Sequence, residues 1–325
     1  MKHFLLMIVA MALMAGCAPA GNNEAGGEEA APELVELKDI AFEKELRKQG
    51  IHTNQGATLR FNDKVRLTLS LRISYLEIRN IEGIRIFKNL RRLYLTGIDI
   101  TDADLKEVAQ LQKLELLLLD NCPQVTDAGL KELAKLQQLG ILYLRNFRDN
   151  KITGVGLGAL AKCRELRTLN FRDMGITDAG MGELAKCQQL TSVRLSGCNR
   201  ITDMGIKELA KLKQLTHLSV RNPSPTDAGI RELSVNLKQL EYFGGLSNIT
   251  DKSLKELAKL KHLTNLNLEM AGNITDDGIR ELGKLRQLES LRLYGTQVTD
   301  RGSADLKTLL PNCSITFVRL IYPVD

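Results

Sequence analysis

Leu114-Glu115-Leu116-Leu117-Leu118-Leu119-Asp120-Asn121-Cys122 is followed, after Pro123-Gln124, by Val125-Thr126-Asp127-Ala128-Gly129-Leu130-Lys131-Glu132-Leu133-Ala134-Lys135-Leu136, and both halves recur down the chain. The first half is L-x-x-L-x-L-x-x-C. Alternate positions of a strand point to opposite faces, so Leu117 and Leu119 share a buried side. The second half places apolar residues at Leu130, Leu133, Ala134 and Leu136, the spacing of a short amphipathic helix. Thr-Asp marks the helix start at Thr101, Thr126, Thr177, Thr202, Thr226, Thr250, Thr275 and Thr299, and Thr153-Gly154 fills the vacant slot. The mean step is about 25 residues, a period that signals stacked repeats.

The strand frame fits Leu90/Leu93/Leu95, Leu139/Leu142/Leu144, Leu166/Leu169/Phe171 and Leu190/Val193/Leu195. It continues through Leu215/Leu218/Val220, Leu263/Leu266/Leu268 and Leu288/Leu291/Leu293. Leu240/Phe243/Gly245 is a degenerate copy with a shorter turn. One such unit cannot bury its own leucines, whereas a stack can. Threonine ahead of each helix suits an N-cap. Aspartate just inside faces the positive end of the helix dipole; a ligand role for Thr-Asp is the alternative. The glycine of T-D-x-G costs about 1 kcal/mol against alanine, which marks a place where adjacent helices approach closely.

These motifs resemble the leucine-rich repeat family, in its cysteine-containing class with I-T-D-x-G-L helices, over residues 73–321. The resemblance implies an α/β fold: a right-handed leucine-rich-repeat solenoid, or horseshoe, with one parallel sheet on the concave face and helices on the convex face. It also implies a binding surface, because solenoids present long rigid faces to other molecules.

The N-terminus carries a different message. Met1-Lys2-His3 is basic, Phe4 to Met14 is apolar, and Met14-Ala15-Gly16-Cys17 follows. An apolar run this short reads as a signal peptide and not a spanning helix. The end of it resembles a bacterial lipobox, with Met14 in the usual leucine place. That resemblance implies cleavage before Cys17, lipidation of Cys17 and a membrane anchor; a secretory signal with an incidental cysteine is the alternative. Ala18, where aspartate would retain a lipoprotein in the inner membrane, favours the outer membrane. Four segments are expected: a signal peptide over 1–16, the lipidated cysteine and a flexible acidic tether over 17–37, an N-terminal cap over 38–72, and the solenoid over 73–325. Within the cap, Ile40 to Gln49 reads as a helix. Val65–Ile73 alternates strictly and reads as a strand, after which Leu76 and Ile78 begin the repeat register.

The chain has 45 Lys+Arg and 39 Asp+Glu. Residues 1–37 hold Lys2 and five acids (Glu24, Glu28, Glu29, Glu33, Glu36), so residues 38–325 carry 44 − 34 = +10. This balance favours encounter with acidic partners. No basic run is interleaved with stacking aromatics, and tryptophan is absent, so nucleic acid is not an expected partner. No C-x-x-C, H-E-x-x-H, phosphate loop or nucleophile elbow occurs, so no metal, cofactor or catalytic activity is expected. Cys122 and Cys198 fall in the turn after their strands. Cys163 and Cys187 occupy equivalent slots of adjacent repeats, as a pair of buried thiols or as a bridge.

The third, fifth and seventh slots of each strand frame face away from the core. Fifth slots read Tyr94, Leu118, Tyr143, Asn170, Arg194, Ser219, Gly244, Asn267 and Arg292. Seventh slots read Thr96, Asp120, Arg145, Arg172, Ser196, Arg221, Leu246, Glu269 and Tyr294. Arg145, Arg172, Arg194 and Arg221 cluster in the middle repeats, flanked by Asp120 and Glu269, and His217 takes a third slot. Arginine and tyrosine are enriched at binding hot spots. The expected ligand-binding residues are Tyr94, Asp120, Tyr143, Arg145, Asn170, Arg172, Arg194, His217, Arg221, Glu269, Arg292 and Tyr294, with a protein, peptide or acidic ligand as partner. Two alternatives stand beside the membrane-tethered binding module. One is a cell-envelope enzyme using concave acid–base residues such as Asp120 and Glu269. The other is an F-box-like ubiquitin-ligase adaptor, which needs a three-helix segment ahead of the repeats, where the preceding segment is short and its clearest feature is the strand Val65–Ile73.

Overall fold

The computed structural model describes residues 34–36, 40–49, 58–60, 70–74, 79–147, 151–222 and 225–317. The signal peptide, Cys17 and the tether up to Glu33 lie outside the described residues. Leu34–Glu36 (β1), expected at the end of the flexible tether, instead pairs antiparallel with Thr58–Arg60 (β2).

Eleven strands form a single open parallel sheet in chain order. They are Ser70–Ser74 (β3), Arg92–Thr96 (β4), Leu116–Asp120 (β5), Ile141–Phe147 (β6), Thr168–Met174 (β7), Ser192–Ser196 (β8), His217–Arg221 (β9), Tyr242–Gly244 (β10), Asn265–Asn267 (β11), Ser290–Arg292 (β12) and Ser314–Thr316 (β13). A helix or 3-10 turn follows each strand from β4 to β12, which is the leucine-rich-repeat horseshoe. The register keeps one slot in one file. Leu93, Leu117, Leu142, Leu169, Val193, Leu218, Phe243, Leu266 and Leu291 are successive partners, each at most 2% exposed. Slipping one strand by one residue would turn its leucines to solvent.

The first strand of the stack differs from the expectation. Leu71 pairs with Leu93 and Ile73 with Leu95, so the repeat register already runs through the end of the segment assigned to the cap; Leu76 and Ile78, expected to begin it, lie outside the described residues. The alternation of Leu71 and Ile73 already matches the core slots, which strict alternation alone could not distinguish from a separate cap strand. The helix Ile40–Lys48 contributes to the same core cluster as the repeats. Its Phe42 and Leu46 are fully buried. The Gln49 side chain donates to the Arg72 carbonyl and accepts from the Arg72 N–H, filling a place that a further strand would take on the sheet edge.

The helical side is tied together by the repeated Thr-Asp. Each aspartate reaches forward to the next repeat, where the threonine N–H and hydroxyl both donate to its carboxylate. Among the described residues seven rungs are formed: Asp102–Thr126, Asp127–Thr153, Asp178–Thr202, Asp203–Thr226, Asp227–Thr250, Asp251–Thr275 and Asp276–Thr299. The same carboxylate can also cap the next helix, as when Gly205 N–H donates to Asp178 at 2.9 Å. Facing its own helix dipole is therefore only part of the aspartate's role. The glycine is needed for this contact: a Cβ at Gly278 would lie 2.0 Å from Asp251 Oδ1. Where serine replaces it, the Ser253 hydroxyl donates to Asp227.

One rung is missing. Gly154 stands in the aspartate slot, and Thr177 donates to the Thr153 carbonyl instead. The helix of that repeat is a 3-10 segment, Leu157–Lys162. The sheet compensates there, since β6 and β7 pair out to Phe147 and Met174.

All five described cysteines are buried free thiols. Cys163 and Cys187 lie at the ends of their helical segments, where other repeats carry leucine, and donate to the carbonyls of Leu133 and Leu157.

Candidate functional site

The exposed concave face follows from strand alternation. In β4 the burial runs exposed, buried, intermediate, buried, exposed, and β5, β8 and β9 likewise bury their second and fourth residues. All twelve expected ligand-binding residues lie on this sheet or at its immediate end, and none is buried. The convex face carries Glu-Lys pairs three residues apart, such as Glu183–Lys186 and Glu208–Lys211 at 2.6 Å. Lys106, Lys131, Lys207, Arg231 and Lys255, at equivalent positions one turn earlier, are exposed and have no acid within ion-pair distance among the described residues.

The concave charges are arranged less uniformly than expected. Tyr94 lies under the guanidinium of Arg72 at 4.2 Å, and Tyr143 under that of Arg145 at 5.1 Å. Stacking of this kind stabilises a guanidinium on the sheet. Arg145 and Arg172 are direct partners in register, but each has an acid nearby. Asp120 shares the seventh slot beside Arg145 and accepts from Asn146 at 2.5 Å. Asp173 lies 3.6 Å from Arg172. Glu269 pairs with Arg292 at 3.5 Å. Asp120 and Glu269 sit six strands apart in the sheet order, which removes them as a joint acid–base pair.

Arg194 and Arg221 are exposed, and among the described residues no acid lies within ion-pair distance of either. They border an open trough of about 630 Å³ whose lining includes Ser196, Ser219, Tyr242, Asn267 and Glu269. The trough comes from the degenerate repeat. In β10 the fifth slot is Gly244, which has no side chain. Gly245 then turns with φ +82, and Leu246 is fully buried. Leu246 was expected on the concave face; the early turn rotates it inward. Two successive side chains are thus absent from the concave rows between β9 and β11.

Tyr242 was not among the expected residues. Its ring stacks on His217, with centroids 6.1 Å apart and planes 10° apart. The signal was present, because Tyr242 takes the same third slot as His217. Asn170 and Tyr294 face the concave side away from the trough. Tyr294 is 37% exposed.

Burial pushes the Cys122 and Cys187 thiols up to about 12, and Cys163 and Cys198 to about 11. They remain protonated at neutral pH and are poor nucleophiles. Among the described residues no group of three or more His, Cys, Asp or Glu is placed to hold a metal ion. No described helix is long and apolar enough to cross a membrane.

Residues 186–210 and 259–283 match the family model described as Leucine Rich repeat. No curated protein sequence matches the chain significantly. Among solved structures, an internalin of Listeria monocytogenes is 19% identical, aligns over 86% of this chain and 96% of its own, and gives a TM-score of 0.43.

Proposed function

We propose that this chain is a non-catalytic binding module, anchored outside the cytoplasm by lipid on Cys17, that captures a protein partner on its concave face. The observation that carries the reading is the open trough on the concave face with two arginines at its border. Arg194 and Arg221 project from the sheet at the edge of that trough, with no acid within ion-pair distance among the described residues. An anionic group suits such guanidinium forks. The rigid register holds them ready, which lowers the ordering cost of binding.

Cross-linking on intact cells followed by mass spectrometry identifies the partner. Replacing Arg172 and Arg221 together with alanine should then weaken capture, and added salt should weaken it in the parent. Capture that survives this change, but falls when Lys259 and Lys284 are replaced, overturns the concave reading. The anchor is tested separately. Cys17→Ser should move the protein out of the membrane fraction or leave its signal uncleaved. A cleaved Cys17→Ser protein that stays on the membrane removes the lipid from the proposal.

A further inference from the structure

The trough over β10 has a definite chemistry. Arg194 pairs in register with Ser219, and Ser196 with Arg221. The four form a two-by-two array on neighbouring strands, with arginines on one diagonal and hydroxyls on the other. Strands about 4.8 Å apart and a two-residue rise of about 6.6 Å put the arginine Cα atoms about 8 Å apart. Beyond them lies the space left by Gly244 and the inward turn of Leu246.

We infer that this trough is the docking site for an extended acidic peptide segment of the partner, with carboxylates at alternating positions. The inference rests on the concave-face reading and narrows it to one place and one chemistry. Side chains at i and i+2 of an extended peptide point the same way and lie about 6.6 Å apart, close to the spacing of the two arginines. Each guanidinium can take a carboxylate through paired N–H donors, and the serines can donate to the remaining oxygens. The acid on the far wall does not oppose this, because Glu269 is already paired with Arg292 at 3.5 Å.

The rim adds apolar contact. Met270 is 47% exposed and holds φ 66, at a turn position filled by Gly97, Asn121, Asn146, Asp173, Gly197, Asn222 and Gly295 elsewhere. Methionine adapts its shape to a partner's surface. The sheet backbone is used up by parallel pairing on both sides of β9 and β10. Recognition therefore depends on these side chains and not on strand addition.

The test uses a fluorescent decapeptide with glutamate at alternate positions, the same peptide with glutamine, and an oligogalacturonate, each titrated by anisotropy at low salt. The glutamate peptide should bind the parent about tenfold or more tightly than the glutamine peptide. Arg194→Ala with Arg221→Ala should remove that difference. Lys259→Ala with Lys284→Ala, which deletes the same charge from the convex face, should keep it. Equal binding of the two peptides, or an unchanged Arg194/Arg221 double variant, overturns the inference. If Arg145→Ala with Arg172→Ala carries the loss instead, the trough is wrong but the concave reading stands. Loss only in the convex variant removes both. Binding of the oligogalacturonate alone overturns the peptide in favour of a glycan.

Discussion

Asp102 and Thr126 are joined across two repeats by a two-pronged contact: the Thr126 N–H donates to Oδ1 at 2.8 Å and its hydroxyl to Oδ2 at 2.7 Å. The same threonine oxygen accepts from the Ala128 N–H at 3.1 Å. One side chain thus caps its own helix and fastens it to the preceding one. Repetition of this rung makes the convex layer a hydrogen-bonded ladder parallel to the sheet.

The ladder gives an internal control. Asp227→Ala removes the acceptor of Thr250 and Ser253 and should lower stability by about 1–3 kcal/mol. Asp300→Ala has the same sequence setting, but among the described residues no following repeat donates to Asp300. Its cost should be a few tenths of a kcal/mol, within the range of surface changes. Urea unfolding of the two variants checks this; equal midpoint shifts would show that the rung contributes nothing.

Gly278→Ala should destabilise despite alanine's better helix propensity of about 1 kcal/mol. Its Cβ would lie 2.0 Å from Asp251 Oδ1, so the rung to Thr275 must open. A midpoint raised by this change, as propensity alone expects, would refute the steric explanation.

Gly154→Asp should not restore the missing rung. Gly154 has φ +98, and a Cβ there would sit 2.8 Å from Gly180 Cα. A side chain at this left-handed, crowded position carries strain. Thermal unfolding should show a loss of stability, and a gain would mean that the joint can relax.

Acid should weaken the ladder. Burial raises Asp227 and Asp276, but donors outweigh it: Ser253 and Thr250 hold Asp227 below its ordinary 3.8, and Thr299 holds Asp276 likewise. A carboxyl whose folded pKa is depressed adds stability that is fully present above its unfolded value. That stability is lost as pH falls through the folded value. Urea midpoints should therefore be level above about pH 5 and fall below about pH 4. Asp227→Asn should reduce the acid-dependent part; an unaltered pH profile would exclude Asp227 as a contributor.

The thiols report on packing. With pKa raised to 11 or 12 by burial, on the order of 1 in 10,000 or fewer is thiolate at pH 7. A thiolate-directed reagent should label Cys122, Cys163, Cys187 and Cys198 only on unfolding. Rapid labelling of any of them in the native protein would show local opening of its repeat.

The repeat frame of the sequence was enough to determine the solenoid, its single parallel sheet and the identity of its two faces. A two-residue period and a helix period alternating about every 25 residues have one stable solution, stacking. Slot counting likewise put Arg145, Arg172, Arg194 and Arg221 on the concave side, since alternation is a property of the strand itself. What slot counting could not reach depends on contacts between repeats. The aspartate's forward reach to Thr126 and its equivalents, and the glycine that makes room for it, require the spacing of neighbouring helices. The start of the stack at Leu71 was hidden because alternation has the same form inside the sheet or in a separate strand. Gly244 in a fifth slot was legible, but the trough needed the tertiary structure as well: the turn at Gly245 drew Leu246 out of the concave row and into the core. Only three-dimensional register shows that this gap opens beside Arg194 and Arg221, because hydrogen bonding between strands, not distance along the chain, brings those positions together.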